Sequence, residues 1–216
     1  MNQIEFRQVT RADYAQLETL IRKTWGSKAS YPAPIERALR KINLYHYLSE
    51  QNYNCIAIRQ GEVVGVIFGR SEHLPYLPGK LKYLAPLLWN KAKLFAYPNG
   101  RRILRNNLAE SRADRALLRS AKKEFDGELV LFITDPRIQR HGIGSVLLRR
   151  FYQFMRQNGC QNIYLFTDTS CNYGFYQRKG YRRVAEQCVC YQSANGPKKE
   201  NHFLYTKDLE NEECRQ

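Results

Sequence analysis

The chain has 216 residues, 43% of them hydrophobic, which is enough for a buried core and argues against wholesale disorder. No apolar run approaches the roughly 20 residues of a membrane helix. The start Met1-Asn2-Gln3-Ile4-Glu5-Phe6 lacks the basic-then-apolar pattern of a secretory leader, so a cytoplasmic protein is expected. Lys+Arg total 35 against 20 Asp+Glu, a net +15 that favours anionic partners (nucleic acid, a phospholipid surface, a polyphosphate ligand) without choosing among them.

Ile4–Val9 alternates apolar and polar residues and predicts a first strand. Thr10 is an N-cap with Asp13 as capping-box partner, and Ala12, Ala15, Leu17, Leu20, Ile21 and Trp25 recur at helical spacing up to Gly26. After a loop at Ser27–Pro34, Ile35, Leu39, Ile42, Tyr45 and Leu48 predict a second amphipathic helix. Cys55–Ile58 and Val63–Phe68 are β-rich runs joined by the turn Arg59-Gln60-Gly61-Glu62.

Arg70–Phe125 breaks this rhythm, with 13 Lys+Arg against 4 Asp+Glu. That excess marks it as a separate, basic segment, read as two or three helices with Pro75, Pro78, Pro86 and Pro98 as breaks. Beyond it, Glu128–Thr134 predicts a strand, Asp135–Gly142 a loop, and Ile143–Gln157 a helix with Val146, Leu147, Phe151, Phe154 and Met155 on its apolar face. Ile163–Thr167 predicts a strand and Tyr173–Lys179 a short helix capped by Gly180. Two last strands, Tyr181–Tyr191 and His202–Leu209, are joined by the turn-rich Ser193–Glu200. The order implies a mixed α/β fold, a central mixed sheet flanked by helices, formed by residues 1–216 as one domain with a basic helical insertion at about 70–125 between the third and fourth strands.

Six cysteines and four histidines (His46, His73, His141, His202) show no C-x-x-C and no metal-ligand spacing. Cys188 and Cys190 fall on one face of a strand. Neither a metal nor a disulfide framework is expected.

The chemistry-bearing stretch runs from Glu128 to Gly144. A buried strand feeds the turn Gln139-x-x-Gly142-x-Gly144, and a helix follows at once. Glycines there let the backbone approach a ligand, and amide N–H groups at a helix N-terminus point at a bound phosphate. Arg137, Arg140 and His141 add positive charge. A tight strand-to-helix turn also favours glycine, so the glycines alone do not decide.

With that spacing the chain resembles the GNAT superfamily of N-acetyltransferases, whose signature is Gln or Arg, two residues, Gly, one residue, Gly or Ala, between a strand and a helix. Gln139, Gly142 and Gly144 fit it, with Pro136 ahead of them. Asn172, Tyr176 and Gly180-Tyr181 are similar to the family's second landmark. The resemblance covers Glu128–Arg183 most closely and leaves the insertion out.

The resemblance implies acyl transfer from acetyl-CoA, or a related acyl-CoA, to a primary amine by direct attack. It implies that the backbone of Gln139, Arg140, His141, Gly142, Ile143 and Gly144 holds the pyrophosphate of coenzyme A. Phe132–Thr134 would splay from Ile163–Thr167, with the pantetheine arm between them held by the backbone of Ile133 and Thr134. Asn172 would contact the cofactor, and Tyr176 would protonate the departing thiolate. The attacking amine must be neutral, so a general base or a water relay is required. Glu128 is the candidate, because its spacing to Gln139 is similar to where several family members carry a basic glutamate, with Glu62 and Asp168 as weaker strand-end carboxylates. No histidine stands ready to activate Cys171 as a nucleophile. Homodimers are common in the family, though no residue here argues for one.

Three readings of the insertion follow from its composition. It is a solvated helical flank, or an acceptor pocket lined by Leu77, Leu81, Trp89 and Phe95, or a surface for nucleic acid or anionic membrane. The alternative to an enzyme is a non-catalytic module that binds acyl-CoA, nucleic acid or another anionic partner.

Overall fold

A computed structural model describes residues 4–25, 31–75, 77–138, 142–193 and 196–209. Seven strands form one mixed sheet: β1 (Ile4–Arg7), β2 (Tyr53–Arg59), β3 (Glu62–Ser71), β4 (Gly127–Thr134), β5 (Asn162–Asp168), β6 (Arg182–Ser193) and β7 (Gly196–Asp208). Their order is β1-β2-β3-β4-β5-β7-β6, antiparallel throughout except for the parallel pair β4–β5. Gln60 and Gly61, with φ of 53° and 78°, form the β2–β3 turn, the left-handed pair that matches the twist of a two-residue hairpin. The last two strands run longer than their composition suggests. Ladder pairing continues to Ser193↔Gly196 and draws the polar residues 197–200 into β7.

Helix α5 (Ile143–Gln157) covers one face of the sheet, with the bounds its periodicity predicts. It buries Ile143, Leu147, Leu148, Phe151, Tyr152 and Met155 against β2–β5 and β7, leaving Val146 and Phe154 at the edges of that stripe. On the other face lie α1 (Tyr14–Trp25) and α2 (Ala33–Ser49), packing Leu17, Leu20, Ile21, Leu44 and Leu48 on Ile56, Val66, Phe68, Leu131 and Ile133. A one-turn 3-10 helix, Arg11–Asp13, leads into α1. There the Asp13 carboxylate accepts from the Thr10 N–H at 2.7 Å and from Arg7 at 2.7 and 2.8 Å. The predicted stop at Gly26 lies outside the described residues.

The basic insertion is two helices, α3 (Leu77–Phe95) and α4 (Pro98–Ser120), stacked on the α1–α2 side. Two of the predicted breaks are corrected: Pro78 falls in the first turn of α3 and Pro86 sits inside it. Pro98 stands at the break between the two helices and opens α4 at its first turn, where a missing N–H costs nothing. Pro86 forfeits one helical hydrogen bond, but Leu87 and Leu94 bury against Ile35, Ala38 and Ile42 of α2, and that packing outweighs the local penalty. Gly100 lies where α4 crosses the end of α3. A Cβ added there would stand 1.8 Å from the Leu94 carbonyl oxygen, which is backbone and cannot swing aside. Gly100→Ala is therefore expected to cost about 2–3 kcal/mol of stability in urea denaturation by forcing the two helices apart.

Candidate active site

Strands β4 and β5 pair only at Gly127↔Ile163 and Glu128↔Tyr164, so they part toward their C-terminal ends. Against β3, residue 130 is an extra residue: Phe68 pairs with Leu131 and Gly69 with Leu129, a β-bulge at Val130. The bulge shifts the alternation of side chains. Leu129 faces α5, Leu131 and Ile133 face α1 and α2, and Phe132 and Thr134 point back toward α5. Beyond Glu128, the edge of β4 that faces β5 carries backbone groups without a partner on that strand.

The gap opens into a cleft of roughly 490 Å³, lined among others by Phe132, Ile133, Thr134, Gly142, Gly144 and Tyr176. Gly142 precedes α5 with φ of 74°, a left-handed conformation, and a Cβ there would meet nothing within 4 Å. The first helical bond runs from the Val146 N–H to the Gly142 carbonyl at 3.0 Å, so the amides of Ile143, Gly144 and Ser145 lie ahead of the helical ladder. A Cβ on Gly144 would come 3.1 Å from the Phe132 ring, so glycine lets α5 approach β4. Gln139, Arg140 and His141 lie outside the described residues.

The short helix α6 (Tyr173–Arg178) closes the far side. Asn172 stands at its N-cap position without a side-chain capping bond and lines the cleft. Phe175 stacks on Phe132 across the gap at 5.6 Å, and Tyr176 meets Phe175 and Tyr181 edge-on at 5.4 and 5.7 Å. Burial pushes the Tyr176 phenol well above its ordinary pKa, so the group stays protonated and keeps a proton to donate. Ser145, Ser170, Cys171, Arg178 and Thr24 also line the cleft. Of these, Arg178 carries the charge suited to a phosphate, and its position two residues after Tyr176 on one helix was the available signal for it.

The three carboxylates singled out from the sequence lie apart. Glu128 is not among the described cleft-lining residues. Its carboxylate lies 2.8 Å from the Arg70 guanidinium and accepts from the Tyr164 hydroxyl at 3.0 Å. Burial raises its pKa, while Arg70 and Tyr164 pull the other way without cancelling the rise. Arg70 also pairs with Glu50 at 3.3 Å and Glu72 at 2.8 Å, which ties the insertion's first residues to the end of α2. Glu62 is exposed at the β2–β3 turn, 3.9 Å from Arg137. Asp168 holds its own turn, accepting from the Ser170 N–H at 2.6 Å and hydroxyl at 2.5 Å, with the Cys171 thiol at 3.8 Å from its other oxygen.

One group of residues was not read from the sequence. His202 of β7 is buried, shares a 2.5 Å hydrogen bond with Tyr191 of β6, and stands 3.8 Å from Asp114 of α4. Burial works against protonated His202, yet Asp114 and Glu110 hold its pKa above the ordinary imidazole value. Glu110, one turn before Asp114, is solvent-accessible but crowded by protein. That crowding and the Asp114 charge push its pKa up to about 7. Two acids of a basic insertion thus turn toward the sheet, beside the strand-end Asp168 whose turn carries Cys171 into the cleft.

A family model described as the acetyltransferase (GNAT) family matches residues 15–181. No curated protein matches the sequence. Among solved structures, the ribosomal-protein-S18-alanine N-acetyltransferase from Escherichia coli is similar at 11% identity and a TM-score of 0.56, over 96% of this chain and 94% of that one. Ard1 from Thermoplasma volcanium is similar at 13% identity and 0.53, over 95% and 97%. An aminoglycoside 6'-N-acetyltransferase complexed with coenzyme A gives 15% identity and 0.52, also over 95% and 97%. At these identities the likeness is one of fold.

Proposed function

The chain belongs to the acetyltransferase (GNAT) family, and from that premise we propose that residues 1–216 act as one transferase domain moving an acetyl or related acyl group from acyl-CoA to a primary amine. The observation that carries this reading is the parting of β4 and β5 beside the free N-terminus of α5, with Tyr176 in the same cleft. The residues present fit the acyl donor. Left-handed Gly142 and the amides of 143–145 suit a pyrophosphate, helped by Arg178 and the loop residues Gln139, Arg140 and His141. The unpaired edge of β4 at Ile133 and Thr134 suits an amide-bearing pantetheine arm, and Asn172 flanks it. When bound, acyl-CoA supplies an activated thioester carbonyl.

The chain's own part is orientation and proton management. Backbone N–H groups of β4 polarise the carbonyl under attack. Tyr176, held protonated by burial, gives its proton to the leaving sulfur as the carbon–sulfur bond breaks. Glu128, which is not among the described cleft-lining residues, takes the proton from the acceptor nitrogen through a water relay, its basicity raised by burial. A second base is favoured by a specific observation: Glu110 sits near neutrality, where proton exchange is most efficient, and is reached by solvent. The pH–rate profile separates the two. Glu128→Gln is expected to lower kcat about 100-fold and to abolish the acid limb, with Glu110→Gln within about threefold of wild type. The reverse ranking moves the base to α4.

The direct test of the reading is thiol release from acetyl-CoA in the presence of a panel of amines, including small diamines, an aminoglycoside and peptide N-termini. Release above the hydrolytic background with at least one amine supports transfer. Tight cofactor binding with no release on any of them favours the non-catalytic module.

A further inference from the structure

The outer face of α3 is apolar where a solvated helix would be polar. Leu81, Leu88 and Phe95 recur every seven residues and are 65%, 61% and 62% exposed, with Trp89 beside them at 63%. At about 100° per residue they fall within about one-third of the helix circumference, turned roughly 80–160° away from Leu87 and Leu94, which bury on α2. The stripe runs about 21 Å along the helix. Cations border it: Lys82 and Lys93 on the Trp89 side, Lys91 on the other. Lys93 lies 5.0 Å over the Trp89 ring, and Arg101 lies 6.0 Å from the Phe95 ring centre. Residues 73–109 contain no Asp or Glu.

Contiguous exposed apolar surface marks an interaction site. The pattern here, Leu, Phe and Trp along one side with lysines at the flanks, is that of a helix lying in a lipid–water boundary. A second copy of this chain docked on the stripe would bring two rows of lysines together. Nucleic acid would answer the lysines and leave Leu81, Leu88 and Phe95 without use. A surface that is anionic outside and apolar beneath satisfies both features.

We propose that the outer face of α3 docks on anionic phospholipid bilayers, with Leu81, Leu88, Trp89 and Phe95 entering the headgroup–acyl boundary and Lys82, Lys91, Lys93 and Arg101 meeting lipid phosphates. No helix among the described residues is long and apolar enough to cross a membrane, so the chain lies on the bilayer. α3 belongs to the helical layer opposite α5, so the docking surface is separate from the α5 N-terminus. The proposal does not depend on the acyl-transfer reading.

The test is cosedimentation of the full chain with phosphatidylcholine vesicles, pure or containing about one-third phosphatidylserine, with tryptophan emission read in parallel. Expected are binding to the mixed vesicles only and a blue shift of emission. Leu88→Ser with Trp89→Ala should weaken the partition at least about tenfold by removing buried apolar area. Lys82→Gln, Lys91→Gln and Lys93→Gln together should weaken it about 100-fold, at roughly fivefold for each lysine. Leu88, Trp89, Lys82 and Lys93 are exposed, so an unchanged Tm confirms that these variants fold. Absence of vesicle binding overturns the proposal, as does equal binding to both vesicles or an apolar double variant that binds like wild type. Stripe-dependent dimers in sedimentation velocity, or tight RNA or DNA binding without lipid binding, also overturn it and reassign the face.

Discussion

Tyr176→Phe is expected to lower kcat by about 100-fold or more while leaving acetyl-CoA affinity within about threefold. The ring packs edge-on against Phe175 and Tyr181, and phenylalanine keeps those contacts. What disappears is the hydroxyl, the one group of Tyr176 that can give a proton to a departing sulfur. Burial holds that phenol protonated, so no change of pH within the enzyme's working range can substitute for it. The defect should therefore be flat with pH. A companion measurement with an acyl donor of lower leaving-group pKa should shrink the defect, because a better leaving group needs less protonation. Wild-type turnover in Tyr176→Phe removes Tyr176 from the chemistry and reduces it to packing.

Gly142→Glu is expected to weaken coenzyme A binding at least about 100-fold by placing a carboxylate where the phosphates would lie, at the positive end of α5. The open space around a Cβ at this position means that the variant does not fail by collision. Its left-handed φ of 74° adds strain of about 1–2 kcal/mol for glutamate, so the folded state survives with a lower Tm. Gly142→Asn controls for this, since asparagine tolerates the conformation and carries no charge. It should bind within about tenfold of wild type. Loss of binding in both variants would assign the effect to backbone conformation, and retention in both would place the phosphates elsewhere.

Where local chemistry decides structure, the sequence is a good guide. Helix α5 follows from one apolar stripe ended by Asn158-Gly159, and the β2–β3 turn from Gln60-Gly61. The cleft was legible through the resemblance: Gly142 and Gly144 fall in one short motif and Asn172 and Tyr176 in a second about thirty residues on, and all four line one cleft. Long-range partners were not legible. Nothing near Glu128 in sequence announces Arg70, which reaches it across the β3–β4 ladder, and nothing near His202 announces Asp114 on an inserted helix.

Helix α3 shows a third kind of limit. It carries two neighbouring apolar stripes, Leu87–Leu94 and Leu81–Leu88–Phe95, with Leu84 between them, and periodicity alone does not say which turns inward. The expected acceptor pocket chose Leu77, Leu81, Trp89 and Phe95. The structure corrects this for the described side chains: Leu81, Trp89 and Phe95 face solvent, because the other stripe meets α2. The Leu77 side chain lies outside the described residues. Pro86 was misjudged for a related reason, since the packing that holds α3 together comes from a helix some forty residues earlier.

The central claim is that the gap between β4 and β5, with the α5 N-terminus, takes an acyl-CoA. Calorimetric titration of the purified chain with acetyl-CoA and with free coenzyme A tests it most directly. The account predicts one site per chain with micromolar affinity for both ligands, lost in Gly142→Glu. A well-folded wild type that releases no heat and shows no Tm shift with either ligand would contradict it.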